Sequence, residues 1–294
     1  MTSQAEPQNR PAVVADRPAR AGAWWRALLS ELKLVFGRRR NQLLLAGLAL
    51  LPLVIGVAVK LVQRGMDHGG GPMDLISRIT GSGLFLAAVA FVVSMPLFLP
   101  LVVSVVAGDS LAGESQLGTT RYAMILPVSR TRWLALKACG VLAFVGAGVL
   151  IVFVVAVVTG FALFGVGGVT LLSGDTLGVG AGLGRIALIA VYVFASLTGL
   201  CAVGLFISSL TEMPIAAMAG TAIVPAVSTV LLAVPQLSAI QPGLLTTHWL
   251  DLTTFLFAQP DLGLIRQGLL VQAAWVTIFG ALAWARVASA DVTV

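Results

Sequence analysis

Six apolar runs, each long enough to cross a lipid bilayer, constrain this chain more than any other feature of its sequence. A membrane-spanning helix needs about 20 consecutive apolar residues, and 58% of the chain is hydrophobic while 10% is charged. The runs do not alternate between apolar and polar residues, as strands of a membrane barrel would. We therefore predict an all-α integral membrane protein with six transmembrane helices, in residues 42–63, 82–108, 138–164, 186–210, 214–235 and 267–286.

Lysine and arginine are concentrated before the first apolar run and between the second and third runs. Because basic residues favour the cytoplasmic side of a membrane, this distribution predicts a multi-pass protein of the cell (inner or plasma) membrane with both termini in the cytoplasm. The basic residues also cluster where lipid headgroups are expected. The net charge of +6 is thus attributed to membrane orientation, and no nucleic-acid partner is expected.

The region before the first run divides into a tail and a helix. Residues 1–21 lack apolar periodicity and are expected to form a disordered cytoplasmic tail. Residues 22–40 have apolar side chains at helical spacing, with Glu31 assigned to the opposite, polar face, and predict an amphipathic interfacial helix. Residues 22–294 are then taken as one transmembrane domain.

Proline interrupts two parts of this pattern. Pro96 and Pro100 lie within the second run and should kink or interrupt that helix, which makes them a candidate hinge. Residues 236–265 are apolar but too short to cross the membrane and return. They predict short re-entrant helices on the extracytoplasmic side, with Trp249 in the interfacial aromatic belt.

A polar segment, residues 109–137, separates the second and third runs. Its carboxylates, such as Glu114, are suited to contacting basic residues on another protein. Pro127 should end one short helix and Ser129 should cap the next, while Lys137 should extend towards the lipid headgroups. The segment therefore predicts a cytoplasmic platform of two short helices for a separate subunit.

The same segment resembles the cytoplasmic loop of ABC transporter permeases of the ABC-2 type. The resemblance rests on Gly113-Glu114, Gly118-Thr119, Pro127-Val128-Ser129-Arg130 and Lys137. It implies that residues 109–137 form a coupling region that contacts the partner ATPase. The residues expected to take part are Gly113, Glu114, Gly118, Thr119, Arg121, Pro127, Ser129, Arg130 and Arg132.

The resemblance also implies the partners of the chain. A permease of this type is a half-transporter that assembles with a second permease copy, identical or different, and with two ATP-binding subunits. The resemblance leaves open whether an accessory extracytoplasmic protein also joins the assembly. No GxxxxGK[ST] loop occurs in the sequence. ATP and Mg are therefore expected on the partner, and the chain is expected to bind no cofactor or metal and to be no enzyme by itself.

The interiors of the second to sixth runs lack Asp, Glu, Lys, Arg and His. Ion-coupled carriers need ionisable or clustered polar ligands at depth, so this absence favours an external energy source. It also favours a hydrophobic or lipid-like substrate, with export as the expected direction.

Three alternatives remain open from the sequence. Met66, His68 and Met73 are suitable copper ligands, as in a permease linked to metallocentre assembly. His68 and His248, each near an aspartate, could serve a membrane-embedded lipid-modifying enzyme. A non-catalytic membrane scaffold is the third.

Overall fold

The computed structural model describes residues 23–66, 83–116, 130–171 and 175–289. Within these ranges the chain forms eight α-helices, one two-stranded hairpin and three short 3-10 helices. The α-helices are α1 (Ala23–Gly37), α2 (Arg39–Met66), α3 (Gly83–Ser94), α4 (Phe98–Gln116), α5 (Arg130–Phe164), α6 (Val179–Leu210), α7 (Pro214–Leu232) and α8 (Leu262–Ser289). The antiparallel strands are β1 (Val169–Thr170) and β2 (Thr176–Leu177), and the 3-10 helices are Pro235–Leu237, Gln241–Gly243 and Trp249–Leu256.

Six of these helices are long and apolar enough to cross a membrane: α2, α4, α5, α6, α7 and α8. Helix α3 is a shorter apolar helix. Each of the six predicted runs overlaps one of the six long helices, so the prediction of an all-α, multi-pass membrane protein is confirmed.

The second predicted run is divided between two helices. Helix α3 ends at Ser94, α4 begins at Phe98, and the break contains Pro96. Proline cannot donate a backbone hydrogen bond within a helix, so the chain interrupts the helix there. Pro100 lies in the first turn of α4, where a missing N–H has little cost. The interruption is confirmed at Pro96, whereas the role of this break as a hinge stays a prediction.

The long helices connect two ends of the bundle, and α3 and α4 follow one another in the same direction across it. At one end, which we call the charged end, α1, the last turn of α4, the first turns of α5 and the last turn of α8 meet. At the opposite end, α3 begins beside the last turns of α5, and Gly83 and Gly160 bring the two backbones into contact. Helix α1, the first described helix, lies at the charged end, and α8, the last described helix, ends there.

Large apolar side chains occupy both the interior and the outer surface. Phe91 and Phe144 are fully buried in the main core. On the outer surface, Leu43, Ile215 and Leu270 are each more than half exposed. Exposure of so much apolar surface to water is unfavourable, whereas the hydrocarbon of a bilayer accommodates it.

The segment between α7 and α8 packs closely onto the bundle. Its short helices are of the 3-10 type, and the Trp249 side chain is 3% exposed. The expectation that Trp249 lies in an interfacial belt is therefore wrong, because this indole packs in the core. The Gln272 amide donates to the Leu245 carbonyl at 2.8 Å, and the Ser228 and Thr246 hydroxyls lie 2.8 Å apart.

Candidate functional site

A sharp turn joins the amphipathic helix α1 to α2. Helix α1 ends at Gly37 and α2 begins at Arg39. The side-chain amide of Asn41, which is 2% exposed, donates to the Val35 carbonyl at 2.8 Å. The last carbonyls of a helix need such partners, so Asn41 caps α1 and fixes its position relative to α2.

Three helices meet at the ammonium group of Lys137. This group lies 2.9 Å from both carboxylate oxygens of Glu31 on α1, and it also pairs with Glu114 on α4. The Lys137 side chain is 5% exposed. Gly140, one turn further along α5, makes room for the Glu31 side chain, because a Cβ there would lie 3.0 Å from the Glu31 Cγ. The expectation that Lys137 extends to the headgroups is therefore wrong.

A second group of ion pairs surrounds Asp109 on α4. The guanidinium groups of Arg38 and Arg40 both pair with this carboxylate, Arg40 at 2.7 Å. The Asp109 side chain is 8% exposed, whereas the two arginine side chains are about 40% exposed. The two groups together, Glu31, Arg38, Arg40, Asp109, Glu114 and Lys137, are called the charge network below.

The charge network balances three positive against three negative side chains and leaves almost no space between them. The cavity between Glu31, Asp109 and Lys137 measures about 20 Å³. A single water molecule needs about 10–15 Å³ of such volume, so a substrate does not fit. The network therefore links helices to one another and does not form a binding pocket.

Ser208 on α6 connects the network to the rest of the bundle. Its hydroxyl accepts from the backbone N–H groups of Leu111 and Ala112 at 3.0 and 2.9 Å, and it donates to the Gly108 carbonyl at 2.6 Å. These hydrogen bonds join one side chain of α6 to three backbone groups of α4. Helix α4 is thus tied to α6 within one turn of Asp109.

The structure describes four of the nine residues expected at the ATPase contact. Gly113 and Glu114 lie in the last turn of α4, and Arg130 and Arg132 lie in the first turn of α5. The Arg130 guanidinium donates to the Ala288 carbonyl at the end of α8 at 2.8 Å. The other five lie outside the described residues: Gly118, Thr119, Arg121, Pro127 and Ser129.

Sequence reasoning missed the partners on α1 and α2. Glu31 was assigned to the polar face of α1, but it shares a partly buried face with Leu28 and Val35, three residues before it and four after it. Positions spaced three and four apart lie on one helix face. This spacing, together with a lysine two turns into an apolar helix, was the available signal for a buried pair.

Three hydroxyl groups in the remaining helices donate to carbonyls of their own helix. The Ser94 and Ser104 hydroxyls donate to carbonyls of their own helices at 2.6 and 2.7 Å. Thr198 does the same at 2.7 Å. Such internal bonds leave these hydroxyls poorly placed to line a polar path for a hydrophilic solute.

The histidine at the opposite end is buried. His248, 9% exposed, lies 2.7 Å from Asp251, and its backbone carbonyl accepts from the Tyr192 hydroxyl at 2.6 Å. The described residues contain no group of three or more His, Cys, Asp and Glu that could hold a metal ion. His68 and Met73, from the copper alternative, lie outside the described residues.

The fold and the apolar outer surface define an all-helical, multi-pass membrane protein. The chain belongs to the family described as "Protein of unknown function (DUF2705)", whose model matches residues 74–290. No curated protein matches the chain. The matched region includes α3 to α8, while α1 and α2 precede it.

Proposed function

We propose that this chain is the membrane subunit of an ABC transporter of the ABC-2 permease type. It moves a hydrophobic or lipid-like substrate, in the direction of export, while a separate subunit binds and hydrolyses ATP. In this proposal the charged end faces the cytoplasm, the segment between α7 and α8 lies on the extracytoplasmic side, and a second permease copy and two ATPase copies complete the assembly.

The charge network is the observation that best supports this proposal. Residues 117–129 connect α4, which ends at Gln116, to α5, which begins at Arg130. Glu114 and Lys137 pair across the two helices that flank this segment, and Glu31 adds the interfacial helix to the same contact. A subunit that displaced residues 117–129 would therefore move α1, α4 and α5 together.

Buried ion pairs are suited to such a mechanical connection. In a low-dielectric surrounding, a charge separated from its partners is strongly disfavoured. The three helices consequently move as one unit or break their ion pairs at a large energetic cost. The contacts of Ser208 with α4 extend the same connection to α6. Movement of residues 117–129 would thus be transmitted to the spans that surround the substrate.

Affinity purification of the tagged full-length chain from its native membrane tests the class of protein. We expect an ATP-binding subunit to co-purify, and we expect ATP hydrolysis by the complex but not by the chain alone. Recovery of the intact chain without any nucleotide-binding partner, under conditions that retain other ABC complexes of the same membrane, would contradict the proposal.

Charge reversal within residues 117–129 tests the proposed contact with the ATPase. Glu114 and Arg130 were expected to contact the ATPase, but reversing either would also break contacts within the chain. The variant tested is therefore Arg121→Glu, and Arg266→Glu, exposed at the opposite end, is its control. Loss of a charged partner at an interface should weaken ATPase binding by about tenfold or more. Equal recovery of the complex with both variants would refute a docking role for Arg121.

A further inference from the structure

An apolar groove lies between α5, α6 and α8, next to the charged end. Its volume is about 290 Å³. Leu134 and Leu142 of α5, Leu205 of α6 and Val276 of α8 are among the residues that line it. The three helices are all candidate membrane spans, so the groove opens towards the hydrocarbon and not towards water.

The lining gives water almost nothing to bind. The Thr198 hydroxyl donates to the Ala195 carbonyl of its own helix at 2.7 Å, and the Cys201 thiol is a weak hydrogen-bonding group. Buried water needs two to four polar partners. A groove of this size and composition is consequently suited to hydrocarbon.

The length of the groove matches one leaflet of the bilayer. Thr131 and Leu142, which line its two ends on α5, are eleven residues apart. At about 1.5 Å per residue this distance is about 16 Å, close to half of a hydrocarbon core about 30 Å thick. A helix from another chain is about 10 Å across and is too wide for this volume.

Positive charge lies at the mouth of the groove. There the Trp284 indole donates to the Thr131 hydroxyl at 3.0 Å, and the Arg130 guanidinium bridges the start of α5 and the end of α8. Arg132 lies in the same first turn, which contains no acidic residue. The last turn of α8 contains Arg286, so these two turns carry three basic residues and no acidic one.

We propose that the groove holds an acyl chain of an anionic phospholipid, drawn from the leaflet at the charged end. The lipid phosphate lies beside Arg130, where charge-assisted hydrogen bonds to a guanidinium are strong, and the chain extends along α5 as far as Leu142. This inference depends on the helices lying in a bilayer and does not depend on the proposed transport role.

A matched pair of glycine variants tests the occupancy of the groove. Gly280 lines the groove, and a Cβ at this position would meet no atom within 4 Å. The Gly280→Leu side chain therefore begins in open space at the groove. Gly47→Leu is the control, because Gly47 is an exposed helical glycine that also has open space at its Cβ, and it lies on α2 outside the groove.

The probe is phosphatidylglycerol with a photoreactive diazirine on one acyl chain, reconstituted with the purified full-length chain and no ATPase. We expect adducts on α5, α6 and α8 peptides that line the groove. Because a leucine displaces buried methylene groups, Gly280→Leu should reduce these adducts by about tenfold, while Gly47→Leu leaves them unchanged. Ala135→Phe in the groove and Ala143→Phe, exposed elsewhere on α5, repeat the comparison if Gly280→Leu does not fold.

Three results would overturn the inference. The first is equal labelling of wild type and the groove variants. The second is labelling spread evenly over lipid-facing helices such as α2. The third is equal labelling by phosphatidylcholine with the same photoreactive chain, which would refute the role of the arginine at the mouth. The proposed function could still hold after any of these results, since docking of an ATPase is measured separately.

Discussion

At the charged end, three helices meet on the buried ion pairs of Lys137. At the opposite end, separate hydrogen bonds hold the 3-10 segments to α6, α7 and α8. Most of them join neutral groups, as between Ser228 and Thr246, and the partly exposed Arg185 guanidinium adds a charged donor to the Phe255 carbonyl. A neutral hydrogen bond can be lost with little effect on its neighbours. Removal of one charge, in contrast, leaves the remaining charges uncompensated. The charged end should therefore respond to substitution as a unit, and the opposite end should respond one contact at a time.

Lys137→Met should produce the largest effect. The substitution leaves the Glu31 and Glu114 carboxylates facing each other, and breaking a buried ion pair in this way costs about 3–5 kcal/mol. Lys60→Met, its control, removes a partly exposed lysine that donates to the Leu163 carbonyl at 2.6 Å near the opposite end, and should cost about 1.5 kcal/mol. The unfolding midpoint in a denaturing-detergent titration measures both. Adding Glu31→Gln and Glu114→Gln to Lys137→Met should recover much of the loss, and failure to recover would show that packing dominates.

Gly160→Ala should be next in size. A Cβ at this position would lie 1.9 Å from the Gly83 carbonyl oxygen, so α3 and α5 must separate. Overpacking of this kind costs about 1–3 kcal/mol. Gly146→Ala in the same helix meets Phe194 at an ordinary 3.4 Å and should be neutral or stabilising by up to about 1 kcal/mol. Equal unfolding midpoints for the two variants would mean that α3 does not pack tightly against α5.

Tyr192→Phe should have the smallest effect, although Tyr192 is also buried. It removes the hydroxyl that donates to the His248 carbonyl at 2.6 Å. A neutral hydrogen bond between spans contributes about 1 kcal/mol or less. The same titration provides the measurement, and hydrogen exchange should show increased opening confined to the 3-10 segment. A loss as large as that of Lys137→Met would remove the distinction between the two ends.

The helices could be predicted from the sequence because their signal is local. A run of apolar residues specifies a span without reference to the rest of the chain. The break at Pro96 could be located for the same reason, since proline acts on its own helix. Trp249 was misplaced because its surroundings come from residues distant in sequence, and an aromatic side chain fits an interface as well as a core.

The candidate site was harder to predict because its partners are far apart in sequence. Glu31 and Lys137 are separated by 106 residues, and no local pattern identifies such a pair. The sequence drew attention to Glu114 and Lys137 through their positions beside apolar runs, but it assigned Glu114 to a contact with another protein and Lys137 to the lipid headgroups. The burial of Lys137 against Glu31 depends on the packing of α1 against α5, which only a three-dimensional structure shows.

The charge network also predicts which residues should change together among relatives of this chain. Glu31, Arg38 and Arg40 precede residue 74, where the match to the family begins, whereas Asp109, Glu114 and Lys137 lie inside the matched region. Buried opposite charges cannot be replaced singly without leaving an unpaired ion. Relatives that have lost Lys137 should therefore have replaced the acids at the positions of Glu31 and Glu114 as well. The segment before residue 74 and the domain after it are expected to have changed in step.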